Sequence, residues 1–257
     1  MATDPSKHHN AACHLREEHT GAWFLKSPEY KRWKSGDTSL LWTFGIPGSG
    51  KTVLFSRVVE DITAYCKTHA GCSTLYAYYY CDFGKNQDES GNILRWTINQ
   101  LARQTDDIPR EILEAYQQDI DPTISTLMRG LGSFCTQAEK VYLLIDGIDE
   151  SCGRADLLLV LDKLREPSFG NLRVLVMSRE EADIRRALKP YAELVSLSNQ
   201  DVDEDIVYFI RRQLERHPRL QLYPPDLKRE IERVLSDGAD GMYVLLDMLS
   251  FLSRVFY

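Results

Sequence analysis

The stretch GIPGSGKT, Gly45 to Thr52, decides how the rest of the chain is read. It fits the spacing GxxxxGK[ST], and its surroundings supply what that spacing needs. An apolar run, SLLWTF from Ser39 to Phe44, stands before it, and helical periodicity runs from Lys51 to about His69 after it. Gly45, Gly48 and Gly50 let the backbone turn tightly enough for successive N–H groups to converge on one oxyanion, and the following helix adds the positive end of its dipole. Lys51 is expected to reach the β and γ phosphates and Thr52 to ligate Mg²⁺. Nucleotide contacts are expected from Gly45, Pro47, Gly48, Ser49, Gly50, Lys51, Thr52 and Val53. An ordinary glycine turn before a helix would not explain why Lys and Thr occupy the two informative positions.

A phosphate-bound magnesium calls for a carboxylate on a neighbouring strand, because Mg²⁺ takes one or two carboxylates and keeps several waters. VYLLIDGIDE, from Val141 to Glu150, supplies it: apolar residues bury the strand, and Asp146 emerges where the strand ends. Asp149 and Glu150 follow, close enough for one to stand near an attacking water, and either could act as base. N-capping of the next helix is the competing reading for both. VMSRE places Arg179 at the end of a further strand, where a cation could neutralise a γ phosphate. On spacing alone a surface arginine explains Arg179 equally well.

Outward from these motifs, strands alternate with helices. STLYAYYYCDF (Ser73 to Phe83) reads as a second strand, and helical stretches follow near Asn92 to Gln104, Pro109 to Gln118 and Ile124 to Gln137. After the acidic strand come a helix around Ala155 to Arg165, the strand LRVLVMS (Leu172 to Ser178), a short helix and a strand at AELVSL (Ala192 to Leu197). Beyond Asp201 only helices are predicted: Val202 to His217, Asp226 to Ser236, and Met242 onward. The expected fold is α/β, a doubly wound five-stranded parallel sheet of the P-loop NTPase type with a small C-terminal helical subdomain. Residues 1–38 read as a polar lead-in arm packing locally, 39–199 as the nucleotide-binding domain and 200–257 as the helical subdomain.

The 257 residues carry a formal net charge of −7 and 43% apolar residues, enough for a sizeable core and against a general electrostatic grip on nucleic acid or anionic membrane. No membrane span is expected: the most hydrophobic tail, GMYVLLDMLSFLSRVFY, is shorter than about 20 residues and contains Asp247 and Arg254. Six scattered cysteines without a CxxC pair suggest reduced thiols and a cytoplasmic address. HHNAACH, with His8, His9, Cys13 and His14, has metal-capable side chains but no second ligand pair at a supporting distance, so a solvated N-terminal segment is the expectation there.

GIPGSGKT, LLIDGIDE and RVLVMSRE together resemble the motifs of the NACHT domain, a signal-transducing P-loop NTPase module. Asp146, Gly147, Ile148, Asp149 and Glu150 fill its magnesium motif without a mismatch. The lead-in DPSKHHNAACHLREEHTGAWFLKSPEYKRWKSGD is similar to that of the nephrocystin-like subgroup found in fungal proteins of the NOD-like-receptor type. The resemblance implies nucleotide-driven homo-oligomerisation, slow hydrolysis of ATP or GTP with Mg²⁺, and flanking effector and repeat domains that this chain does not contain, as if it were an excised module or a truncated product. It implies a sensor role for Arg179, and a base-binding edge near Gly21 and Trp23. One departure is that GADGMYVLL keeps Gly241 but lacks the proline of the related plant modules.

A nucleotide-operated switch is therefore the leading expectation. A constitutive P-loop enzyme, such as a small-molecule kinase or an AAA-type ATPase, is the alternative, although no arginine-rich lid is visible. A small GTPase is disfavoured because no Asn-Lys-x-Asp string follows a strand.

Overall fold

The computed structural model describes residues 4–68, 73–81 and 89–239. The strand that ends in the glycine loop, β1 (Leu40–Phe44), lies inside a five-stranded parallel sheet with β2 (Thr74–Tyr80), β3 (Lys140–Asp146), β4 (Leu172–Ser178) and β5 (Glu193–Ser196), in the order β2-β3-β4-β1-β5. The order inserts β4 between the loop strand and the acidic strand. In register, Phe44 stands beside Ser178 and Asp146 beside Met177, so three functional strand ends meet at one carboxyl edge.

Before the sheet, the arm is helical: α1 (Ser6–Leu15), α2 (Ala22–Lys26) and α3 (Pro28–Ser35). The sheet helices are α4 (Lys51–Thr68), α5 (Glu89–Thr105), α6 (Arg110–Gln117), α7 (Ile124–Gln137), α8 (Arg154–Lys163) and α9 (Ala182–Leu188). After β5 the described residues hold helices only: α10 (Gln200–Arg216), a one-turn 3-10 segment at Leu220–Leu222 and α11 (Pro225–Ala239). The helix expected from Met242 and the GADGMYVLL stretch from Asp240 on lie outside the described residues.

Side chains alternate across the sheet and feed two cores. Val141, Leu143 and Ile145 of β3 join Trp42, Val174 and Val176 under α5, α7, α8 and α9. Tyr142 and Leu144 join Leu41 and Leu175 under α2, α3, α4 and α10. Burial on both faces is why these strands read as continuous apolar runs. The same parity aims Asp146 at the face that carries α4, the helix beginning at Lys51.

The lead-in, read from sequence as a polar entry arm packing locally on the domain, forms three helices. Ser27 caps α3, its hydroxyl accepting from the Tyr30 N–H at 3.3 Å, Pro28 occupies the first helical position, and Gly36 closes the helix at φ +107°. That helix carries Trp33 into the core, where its indole N–H donates to the Val174 carbonyl of β4 at 2.9 Å. Tyr142 in turn donates to the Lys34 carbonyl at 2.6 Å. The arm is thus tied to the middle of the sheet, because two large aromatics with polar tips find both apolar cover and a backbone partner there. No helix among the described residues is long and apolar enough to cross a membrane.

Candidate functional site

The glycine loop turns as its composition demands. Gly48 and Gly50 have φ of +77° and +79°, a left-handed backbone that only glycine adopts cheaply. A Cβ on Gly45 would lie 2.6 Å from the Ser49 hydroxyl and 2.9 Å from the Leu197 Cβ, so close packing against the chain leaving β5 requires glycine there. The loop delivers the chain into α4, whose first-turn N–H groups have no partner within the helix. Lys51 Nζ donates to the Gly45 carbonyl at 2.9 Å, the Ile46 carbonyl at 2.7 Å and the Ser49 hydroxyl at 3.4 Å, which curls the ammonium over the loop. Burial lowers its pKa, while Asp149 and Asp146 pull the other way.

Asp146 is buried, with 4% exposure, at the end of β3. Burial pushes its pKa up to about 7 against the hydrogen bond from Thr52, and the neighbouring Glu150 and Asp149 add to the rise. A buried carboxylate beside a hydroxyl and two further acids is a hard-oxygen environment short of positive charge, and an Mg²⁺ ion fits that deficit.

Gly147, at φ +74°, breaks the strand and its N–H donates to the Met177 carbonyl at 2.9 Å. Asp149 and Glu150 then lie in a 3-10 turn, Ile148–Glu150. They do not cap the next helix: the cap of α8 is Gly153, without a side-chain bond. Asp149 is committed elsewhere. Its Oδ1 accepts from the Arg179 backbone N–H at 3.1 Å and its Oδ2 pairs with Arg179 Nε at 3.2 Å. Arg179 keeps 48% of its side chain exposed while the Asp149 side chain is 4% exposed, so the carboxylate anchors an arginine whose outer face is open to the cleft. Arg154, held by Glu181 at 2.8 Å and Asp183 at 2.6 Å, donates to the Asp149 carbonyl and braces the turn from behind.

These residues line one cleft of about 370 Å³. Pro47, Gly48, Ser49, Gly50, Lys51, Thr52, Val53, Asp146, Asp149, Glu150 and Arg179 are all on its wall; Gly45 is not, and acts behind the loop. The opposite rim is built by parts the motif reading did not join: Leu15, Arg16, Glu17 and Thr20 of the arm, and Val202, Asp205 and Phe209 of α10. Gly21 and Trp23 line it too. Asp205 Oδ2 accepts from the Gly21 N–H at 2.5 Å and the Trp23 indole at 3.1 Å, and Arg216 pairs with Glu17 at 2.8 Å. Partners about 180 to 200 positions apart leave no local spacing to detect; the one sequence hint was an acid, Asp205, on the buried-side periodicity of a helix.

The sheet, the glycine loop and the acidic strand end define an α/β fold of the P-loop NTPase type. The sequence profile of the family described as Nephrocystin 3, N-terminal matches residues 19–179, and the chain belongs to that family, with a NACHT-like domain. It is 21% identical over 236 residues to the vegetative incompatibility protein HET-E-1 of Podospora anserina, an alignment covering 86% of this chain and 17% of that protein. The chain therefore spans about a sixth of the length of that relative. Among solved structures it is similar in fold to the ORC2 protein of Aeropyrum pernix, solved as ADPNP–ADP complexes, with a TM-score of 0.51, 16% identity, and coverage of 86% of this chain and 57% of that one.

Proposed function

We propose that the chain is a nucleotide-operated switch module that binds ATP or GTP with Mg²⁺, hydrolyses it slowly, and passes the presence of the γ phosphate to its helical region and to flanking domains of a longer, NOD-like-receptor-type protein. The observation that carries this reading is the composition of the cleft: one wall is phosphate chemistry from the sheet edge, the other is the arm clasped to α10. A ligand spanning both walls changes the contacts that hold α10, which is what a switch requires, since a nucleotide biases an arrangement only through differential contacts.

In this reading the loop N–H groups and Lys51 hold the β and γ phosphates, with Lys51 leaving its carbonyl partners to do so. Thr52 and Asp146 would hold Mg²⁺, which when bound neutralises phosphate charge. Arg179, braced by Asp149, presents its guanidinium toward the γ position. Asp149 is spent on holding Arg179, and Glu150, on the same cleft wall, is the candidate for orienting and deprotonating the attacking water. The arm segment from Leu15 to Trp23 takes the base and ribose. Domain boundaries near 38 and 199 and self-assembly through this module belong to the same proposal.

Steady-state turnover of ATP and GTP, measured beside light scattering on the same samples, tests it. Slow turnover with nucleotide-dependent growth in mass is the expected result. Fast turnover by an unchanging monomer would replace the switch with a constitutive P-loop enzyme.

A further inference from the structure

The histidine and cysteine cluster near the start of the chain lies outside the nucleotide cleft, and the fold gives it the third donor that the sequence lacked. His9 and Cys13, four residues apart, share one face of α1, and α4 brings Glu60 to them. Cys13 Sγ lies 3.5 Å from His9 Nε2 and 3.7 Å from Glu60 Oε1, and all three donor atoms are within 4.8 Å of one another. A tetrahedral zinc with bonds of about 2.0–2.3 Å sets its ligand atoms about 3.3–3.6 Å apart. Two edges of such a site are thus already near their bound length.

The outward-facing atoms of two of the ligands are also held. His9 Nδ1 is 3.0 Å from the Tyr80 hydroxyl, and in the tautomer whose Nδ1–H donates to that oxygen the Nε2 lone pair faces Cys13. Glu60 uses Oε2 to pair with Arg16 at 2.5 Å, which leaves Oε1 toward the thiol. Such outer partners fix the tautomer and orientation of metal ligands. His8 and His14 contribute no donor to the group.

We propose that His9 Nε2, Cys13 Sγ and Glu60 Oε1 form a site for a borderline-soft divalent transition metal, zinc first, with water as fourth ligand, stapling α1 to α4. The nitrogen, sulfur and oxygen donor set suits zinc and not the magnesium expected at Asp146. Binding replaces the S–H bond of Cys13 with a Zn–S bond, and the thiol proton leaves to solvent. Arg16 bonds Glu60 and also lines the nucleotide cleft, so the metal would fix the arm at the rim that takes the base.

The test uses the whole chain, freed of metal by a chelator and without nucleotide, so that its failure says nothing about the nucleotide reading. Titration with Co²⁺ should give tetrahedral visible bands and a thiolate-to-cobalt charge-transfer band at one equivalent, both displaced by one equivalent of Zn²⁺. Zinc at about one hundred times its dissociation constant should raise Tm by about 5–10 °C. Cys13→Ser should abolish the charge-transfer band, Glu60→Gln and His9→Gln should each weaken binding at least about tenfold, and His14→Gln should change nothing. Should Cys13→Ser fail to fold by circular dichroism, Glu60→Gln decides, its side chain being 49% exposed. Absence of the charge-transfer band, its survival in Cys13→Ser, or equal zinc uptake by wild type and the folded variants, which would mark an adventitious ion only, overturns the site.

Discussion

The two ends of the cleft are built in opposite ways. At the phosphate end, eight consecutive residues set the shape of the loop, and the loop's own side-chain contacts are between near neighbours in sequence: Lys51 with Gly45, Ile46 and Ser49. At the far end, an arm residue and a residue of α10 must meet across most of the chain, as Gly21 does with Asp205 and Glu17 with Arg216. A local end is set by backbone sterics and tolerates drift elsewhere in the fold. A composite end exists only while both pieces are docked, so it can be opened without disturbing the other. That asymmetry suits a module in which phosphate capture is fixed and the grip on the rest of the nucleotide is adjustable.

Hydrolysis gives the largest expected difference within the phosphate end itself. Glu150→Gln should slow single-turnover hydrolysis by about 10²–10⁴-fold while nucleotide affinity holds. Asp149→Asn should cost less, because Asp149 acts through Arg179 and the Arg154 brace remains on its backbone. A Glu150→Gln variant with the wild-type single-turnover rate would remove Glu150 from the proposed chemistry; a larger loss in Asp149→Asn would exchange the two proposed roles.

Next in size is Lys51→Ala. Losing a charge-assisted contact to two phosphates should weaken both Mg-ATP and inorganic tripolyphosphate by about 100-fold, near 2.7 kcal/mol. Tm should barely move, since burial already lowers the lysine pKa and its hydrogen bonds run only to the loop it belongs to. Calorimetry with both ligands checks the first claim and a thermal melt the second. Unchanged affinity for either ligand would place the phosphates elsewhere.

The same asymmetry explains what could be read in advance. All five strands and most sheet helices were legible because each carries its own period and punctuation: apolar runs for strands buried on both faces, and a glycine at each critical turn. The places of Asp146 and Lys51 on the cleft wall were legible because the motif fixes their spacing from a strand end. The helices of the arm were not read in advance although Ser27, Pro28 and Gly36 spell a capped helix, because its mean polarity outweighed Phe24, Tyr30 and Trp33, whose burial depends on the rest of the fold. Arg179 was ambiguous in sequence, and its pairing with Asp149 depends on β4 lying between β1 and β3, a topological fact that no local pattern contains. The same holds for Asp205 and for Glu60 beside Cys13.

Asp205→Ala sharpens the comparison with the smallest effect. The substitution leaves the Gly21 N–H and the Trp23 indole without their shared acceptor, a loss of about 1–3 kcal/mol in contacts that dock the arm on α10. If the far end grips base and ribose, ATP and GTP should each weaken by roughly tenfold while tripolyphosphate, which needs only the glycine loop, binds as before. Lys51→Ala moves all three ligands together; Asp205→Ala should separate them. Equal weakening of tripolyphosphate would mean that the arm supports the phosphate loop itself through Arg57, which donates to the Glu18 and Thr20 carbonyls from α4. The double variant of Asp205→Ala with Arg57→Ala distinguishes that route: independent ends predict additive losses for ATP and none of the Asp205 share for tripolyphosphate, whereas a shared support predicts that the second substitution adds little.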